Sequence, residues 1–393
     1  MATTYRELNP PPRLLLGPGP SNVDPRVLQA MAIAPIGYFD AELFKIMDET
    51  KELLQYTFQT QHPLTLAVSG TGMAGMEAAF CNVIEPGDSV AVCVAGFFSD
   101  RMCDIVERCQ GELIRIEAEW GRVIQPEQVE AVLKQSRVKV LAIVQAETST
   151  GVLQPLQRIS ELAHDHGALV IADTVTSLGG CPLKVDEWNL DAVYSGSQKC
   201  LGCPPGLAPV TFSPRAEEVM KARKTKMQSF YLDMTILGRY WSADRVYHHT
   251  APVNLYYALR EGLRLVYEEG LEARWQRHRL NHQALMAGLQ AMGLQPFAQP
   301  GHWLPSLNPV RVPEGINDAK VRGRLLQDYG MEIGGGLGKL KGQIWRVGLM
   351  GYNSTKKNVL TFLDVFETVL RAEGYSLQMG AALSAAEQVY AQP

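Results

Sequence analysis

The chain predicts an α/β fold: a large domain with a mainly parallel, seven-stranded sheet sandwiched by helices, followed by a smaller C-terminal α+β domain. Short apolar runs alternate with helix-length amphipathic segments between Leu64 and Phe212. A long helical stretch then runs from Pro252 to Gly293, and beyond it strands and helices mix. A helix between consecutive strands is what the crossovers of a parallel sheet require.

The elements follow in order. After a leader with Pro10 to Pro12, the segment Asp40 to Gln59 places Leu43, Met47, Leu54 and Phe58 near one helical stripe. The seven strand-like runs are Leu64 to Val68, Ser89 to Val94, Leu113 to Ile116, Val138 to Val144, Ala168 to Ile171, Ala192 to Tyr194 and Ala208 to Phe212. Between them, Met73 to Val83, Gln125 to Lys134 and Leu156 to His166 read as helices. Gly270 weakens the long helical stretch enough to allow a bend. Past it, Pro309 to Val312 reads as extended, Asn317 to Tyr329 as a helix, Gly334 to Gly338 as a loop, Ile344 to Met350 as a strand, and Ser354 to about Arg371 as the last helix. Residues 1–16 are then an N-terminal extension, 17–269 the large domain and 270–393 the small one.

Composition narrows the function. With 46% hydrophobic and 20% charged residues, the chain can bury a large core. A formal charge of -4 and a pI near 6.1 supply no basic field for nucleic acid or an anionic membrane, so neither partner is expected. No apolar run reaches membrane-spanning length and the opening residues have no signal-peptide core, so the expected location is cytoplasmic. Seven scattered cysteines favour free thiols. Cys200 and Cys203 form a C-x-x-C, but no second pair or suitably spaced histidine follows, so no metal is expected.

Two residues ending apolar runs carry the chemistry. Asp173 closes Ala168-Leu-Val-Ile-Ala, and Lys199 closes Asp191-Ala-Val-Tyr-Ser-Gly-Ser-Gln. A buried acid needs a cationic partner, and a lysine among small uncharged residues is not a solvated face. Together they suit pyridoxal phosphate, with the lysine amine for the aldehyde and the carboxylate for the ring nitrogen. The alternatives are an N-capping acid and a loop lysine.

Ser69-Gly-Thr-Gly-Met-Ala-Gly75 lies between a strand and a helix, so its amides and the Thr71 hydroxyl suit a phosphate. It also matches G-x-G-x-x-G, the dinucleotide fingerprint of an NAD-binding oxidoreductase. That reading wants an acid closing the next strand, whereas Ser89 to Val94 ends in Ala-Gly, and it leaves Asp173 and Lys199 without roles. Phe98 could stack on a flat cofactor or belong to the core. The hydroxyls of Glu147-Thr-Ser-Thr-Gly151 reach the same sheet edge, or form a polar loop. Tyr247 and Thr250 could extend a phosphate cup. Arg346, in Ile-Trp-Arg-Val-Gly, points either inward to take a carboxylate or outward to solvent.

Taken together, these motifs resemble the class V, fold-type I pyridoxal-phosphate aminotransferases, most closely the alanine:glyoxylate (serine:pyruvate) group. The resemblance rests on Leu-Leu-Leu-Gly-Pro-Gly-Pro-Ser-Asn22, Ser-Gly-Thr-Gly72, Ser-Thr-Gly-Val-Leu-Gln-Pro-Leu156, Ser-Leu-Gly-Gly180, Tyr-Ser-Gly-Ser-Gln-Lys199, Tyr-His-His-Thr250 and Arg-Val-Gly-Leu-Met-Gly351. It implies a homodimer with shared active sites, in which Tyr247 and Thr250 reach the neighbouring subunit's phosphate. It further implies that Thr71, Gly72 and Gln198 hold phosphate, Thr148 the phenolic oxygen and Asp173 the ring nitrogen. Phe98 and Val175 would flank the ring, with Met73 beside it, and Lys199 would be the Schiff-base lysine and proton carrier. Arg346 and the Gly19 backbone would hold the substrate carboxylate.

Close relatives often carry tryptophan in place of Phe98 and histidine or another residue in place of Met73, and some that handle larger amino acids carry Ser-Asn where this chain has Gly37-Tyr38. The expected reaction is ping-pong transfer of an amino group from L-alanine to glyoxylate, giving pyruvate and glycine. Serine:pyruvate, serine:glyoxylate and other class V specificities are its rivals. A desulfurase of the same fold would need a reactive cysteine near the C-terminal domain, and none follows Cys203.

Overall fold

The computed structural model describes residues 5–392. Its large sheet has seven strands: β1 (Leu64–Ser69), β2 (Ser89–Val94), β3 (Glu112–Glu117), β4 (Val140–Val144), β5 (Leu169–Asp173), β6 (Ala192–Tyr194) and β7 (Leu207–Phe212). They lie in the spatial order β1-β7-β6-β5-β4-β2-β3. β7 runs antiparallel to both its neighbours and the other pairs are parallel. Central strands such as β4 and β5 are buried along their whole length, which is why they read as continuous apolar runs rather than alternating ones.

Each parallel crossover returns the chain to the same edge, so the C-terminal ends of β4, β5 and β6 open onto one side. Asp173 is the last residue of β5 and lies in register with Tyr194, the last of β6.

The helix Ala41–Phe58 forms with Asp40 capping the Glu42 amide, and its buried face carries the predicted Leu43, Met47, Leu54 and Phe58. The predicted bend is a break: helices Val253–Glu269 and Leu271–Ala291 meet at Gly270, whose φ of 79° is one that L side chains rarely adopt.

Two large hydrophobic cores form, with two small clusters beside them. One surrounds the large sheet and reaches Leu271 and Trp275; the other joins Leu16 to residues from Ala284 onward, including Trp345, Phe362 and Phe366. The second core packs beneath a three-stranded antiparallel sheet of Leu307–Arg311, Ile344–Gly348 and Gly334–Gly335. Leu14–Leu15 pairs in parallel with Met331–Glu332, and Leu16 is buried in that second core, so the chain just after it crosses towards Lys199.

Two expectations need correction. The helix at Lys356–Ala372 is not the last, because Ala381–Tyr390 forms another, packed on Leu271–Ala291 through Ala382 and Ala386. Small residues at the contact weaken its apolar pattern, which hid it. The glycines from Gly334 are not a plain loop: Gly334 and Gly335 pair with Arg346 and Trp345, and Gly338–Leu340 is a short 3-10 turn. Among the described residues no helix is long and apolar enough to cross a membrane.

Candidate active site

The ends of the large-sheet strands converge on one cavity of about 220 Å³. Thr71, Gly72, Met73, Phe98, Thr148, Asp173, Val175, Gln198 and Lys199 all line it, joined by Met76 and Ala146.

The anion cradle comes from β1. Thr71 is the N-cap of helix Gly72–Val83 and makes no side-chain capping bond; the Ala74 amide donates to the Thr71 carbonyl at 2.8 Å, which leaves the Gly72 and Met73 amides to face the cavity. Such an end, carrying the positive pole of the helix, suits a phosphate. Gly72 packs against Val175, and a Cβ there would stand 3.2 Å from the valine Cγ2.

Phe98 reaches the cavity because of Glu147. The turn after β2 opens helix Phe97–Arg108, and the buried Glu147 carboxylate accepts the amides of Ser99 (3.1 Å) and Phe98 (3.4 Å) at its N-terminus. The same carboxylate accepts the Ser149 hydroxyl at 2.6 Å and the Ser99 hydroxyl at 3.2 Å. Gly96 makes room for it, since a Cβ on Gly96 would lie 2.3 Å from the Glu147 side chain. The Arg101 guanidinium lies over both the Phe97 and Phe98 rings and donates to the Met73 sulfur at 3.4 Å.

At the centre, Asp173 accepts the Val175 amide at 2.8 Å and the Tyr194 hydroxyl at 2.9 Å. Burial pushes its carboxyl up to about 7, against the pull of those two bonds. Burial pushes Lys199 down to about 8, helped by the positive charge of Arg346. An acid that resists losing its proton and an amine that resists gaining one are suited to a site where protons change hands.

Lys199 donates to the Pro18 carbonyl. Gly19, at φ 101°, leaves space for the lysine, since a Cβ there would come within 2.7 Å of Nζ. Arg346 points inward. Its Nε donates to the Gly335 carbonyl at 2.7 Å and its Nη1 to the Thr148 carbonyl at 3.1 Å, while burial pushes it down to about 10. The Thr148 hydroxyl lies 2.5 Å from that of Thr176.

Tyr247 and Thr250 are not brought into the cavity of their own chain. Tyr247 is 49% exposed and packs on Tyr38 and Phe39. Thr250 lines a separate cleft with Gly37 and Tyr38. Sequence reasoning missed Tyr194, Thr176, Met76, Ala146 and the capping role of Glu147. For Tyr194 a signal existed, since it ends the strand next to Asp173.

The arrangement fits pyridoxal phosphate on its own terms. An uncapped helix end offers amides to an anion, Asp173 is a buried acid near a ring-sized space, Lys199 is a buried amine, and Gln198 Oε1 is buried without a hydrogen-bond partner.

Fold and cavity together define an enzyme class. The aminotransferase class-V family model matches residues 14–359, and the chain belongs to that family, whose members depend on pyridoxal phosphate. The chain is 49% identical to the alanine–glyoxylate aminotransferase of Nostoc sp., whose crystal structure superposes with a TM-score of 0.93, covering 94% of this chain and 98% of that one. It is 43% identical to the ureidoglycine–glyoxylate aminotransferase of Bacillus subtilis, with a TM-score of 0.97 over 98% of this chain and all (100%) of that structure. It is 44% identical to the alanine–glyoxylate aminotransferase of Callithrix jacchus, over 90% of this chain and 86% of the relative.

Proposed function

We propose that this chain is a glyoxylate aminotransferase with L-alanine as amino donor, working by a ping-pong mechanism with pyridoxal phosphate held at Lys199. The observation that carries the reading is the placement of Asp173, Lys199 and the uncapped helix end at Gly72 around one buried cavity. Likeness to the alanine–glyoxylate aminotransferases supports the donor.

When bound, pyridoxal phosphate supplies an aldehyde that exchanges amines and a ring that accepts the electron pair released at the substrate Cα. Thr71, Gly72 and Gln198 would hold its phosphate. Asp173, its carboxylate fixed by Val175 and Tyr194, would hold a proton at the ring nitrogen. Phe98 and Val175, which line the cavity with Met73, would hold the ring, and the Thr148 hydroxyl would serve its phenolic oxygen.

With the cofactor and a donor in place, Lys199 Nζ would be the base that takes the Cα proton and returns it. Its lowered proton affinity keeps part of the population neutral near pH 7, as a base must be. Arg346 and the Gly19 backbone hold the substrate carboxylate. We assign Tyr247 and Thr250 to the neighbouring subunit's phosphate in a homodimer, which accounts for their exposure in the single chain.

The likeness to the Bacillus subtilis enzyme favours a second reading, with ureidoglycine as donor. The discriminating experiment follows the absorption of the loaded protein while alanine, serine or ureidoglycine is added, and then glyoxylate. Alanine should bleach the band of the lysine-bound cofactor and glyoxylate should restore it. Bleaching by ureidoglycine but not by alanine would replace the donor and keep the rest.

A further inference from the structure

Away from the cavity, two thiols face each other. Cys81 sits near the end of helix Gly72–Val83, and Cys109 is the C-cap of helix Phe97–Arg108. Their sulfurs are 3.6 Å apart. Gln228 Nε2 lies 3.6 Å from each sulfur, and Gln228 is exposed, so the pair is one side chain below the surface. Cys81 itself is 8% exposed. Beside it, Arg223 Nη1 donates to the carbonyls of Cys81, Asn82 and Ile84 at 3.0, 3.1 and 2.8 Å, which places a fixed positive charge near the thiols. Cys200 and Cys203, the C-x-x-C pair, instead donate to the backbone carbonyls of Thr176 and Ala258.

We propose that Cys81 and Cys109 form a redox-modification site, which exchanges with small-molecule disulfides and closes to an intramolecular disulfide joining the far ends of two active-site helices.

Cys109 reacts first. Its thiolate receives hydrogen bonds from the Cys81 S–H and from Gln228, which hold it below the usual thiol range, whereas Cys81 is pushed up. The Cys109 thiolate attacks one sulfur of a small disulfide RSSR. A bond forms between Cys109 and that sulfur, the reagent's own S–S bond breaks, and RS⁻ leaves to take up the proton that Cys109 lost. Cys81 then gives up its proton and attacks the Cys109 sulfur, expelling a second RS⁻ that takes that proton. Two protein thiols are oxidised and one RSSR is reduced to two RSH. The two sulfurs, 3.6 Å apart, then close to a bond of about 2.0 Å.

The near ends of the same helices carry Gly72, Met73 and Phe98. The link therefore ties together two elements of the cofactor cavity without occupying it. It also closes the loop from residue 81 to residue 109, which restricts the unfolded chain.

The test treats the purified full-length protein with oxidised glutathione across a series of reduced-to-oxidised ratios, alkylates the remaining thiols, and maps the peptides without reduction. Two of the seven cysteines should be lost, with one cross-linked peptide containing Cys81 and Cys109, reversed by excess reduced glutathione. The oxidised protein should unfold several degrees higher. Cys81→Ser should leave Cys109 as a glutathione adduct and abolish the thermal shift, whereas Cys109→Ser should slow the first exchange. All seven thiols remaining free, glutathione adducts with no cross-link, or cross-links between other cysteines would each overturn the proposal.

Discussion

Tyr194 donates its hydroxyl to Asp173 at 2.9 Å from the neighbouring register position of the adjacent parallel strand. That bond and the Val175 amide hold the carboxylate in one orientation, while burial resists its charge. The acid is aimed before any cation reaches it.

Tyr194→Phe removes only the hydroxyl and leaves the ring packing. A hydrogen bond to a charged group contributes roughly 1.5–3 kcal/mol, so affinity for pyridoxal phosphate should fall roughly ten- to a hundredfold, with the folded structure retained. Equilibrium titration with the cofactor checks this; an unchanged dissociation constant would remove Tyr194 from the account.

The pH dependence of stability has a defined sign. In protein stripped of cofactor, Asp173 holds its proton up to about 7, well above the ordinary carboxyl value of 3.8. The folded state therefore binds more protons between those values, and stability falls as pH rises from about 4 to 7. Lys199 is depressed to about 8 from 10.5, so its contribution makes stability rise with pH across that higher window. Asp173→Asn should flatten the lower window and make the stripped protein more stable at pH 7, by a ceiling of roughly 4 kcal/mol. The same variant should bind the cofactor more weakly. Denaturant titrations at several pH values read the first effect and cofactor titration the second.

Glu147→Ala leaves the N-terminus of helix Phe97–Arg108 without its carboxylate. A lost cap costs about 0.5–2 kcal/mol, and the Ser99 and Ser149 hydroxyls also lose a charged acceptor. We expect a lower thermal midpoint together with weaker cofactor binding, because Phe98 is no longer held at the cavity wall. A lower midpoint with unaltered cofactor affinity would mean that the cap is structural alone.

Arg346→Lys keeps the charge but loses the planar fork. The Michaelis constant for the amino donor should rise on the order of ten- to a hundredfold, with a smaller change in turnover. Steady-state kinetics with alanine and glyoxylate varied separately would show it.

Much of the fold was legible because burial on both faces turns the parallel strands into continuous apolar runs, and β4 and β5 stood out for that reason. Lys199 and Asp173 were legible as isolated charges in small or apolar surroundings. Tyr194 was not, because an aromatic ending an apolar strand looks like core until the register sets it beside Asp173. In the sequence, Glu147 is only the first residue of a hydroxyl-rich segment. Its partners are about fifty residues earlier in the chain, and no local pattern encodes that distance. Helix Ala381–Tyr390 escaped because alanines do its packing.

The central claim is that Lys199 is the amine that holds the cofactor. Borohydride reduction of protein loaded with pyridoxal phosphate, followed by peptide mapping, tests it most directly. One pyridoxyl group per chain should appear, on the peptide containing Lys199, and none in Lys199→Ala under the same conditions. A label on another lysine, or an unlabelled Lys199 in protein that has bound the cofactor, would contradict it.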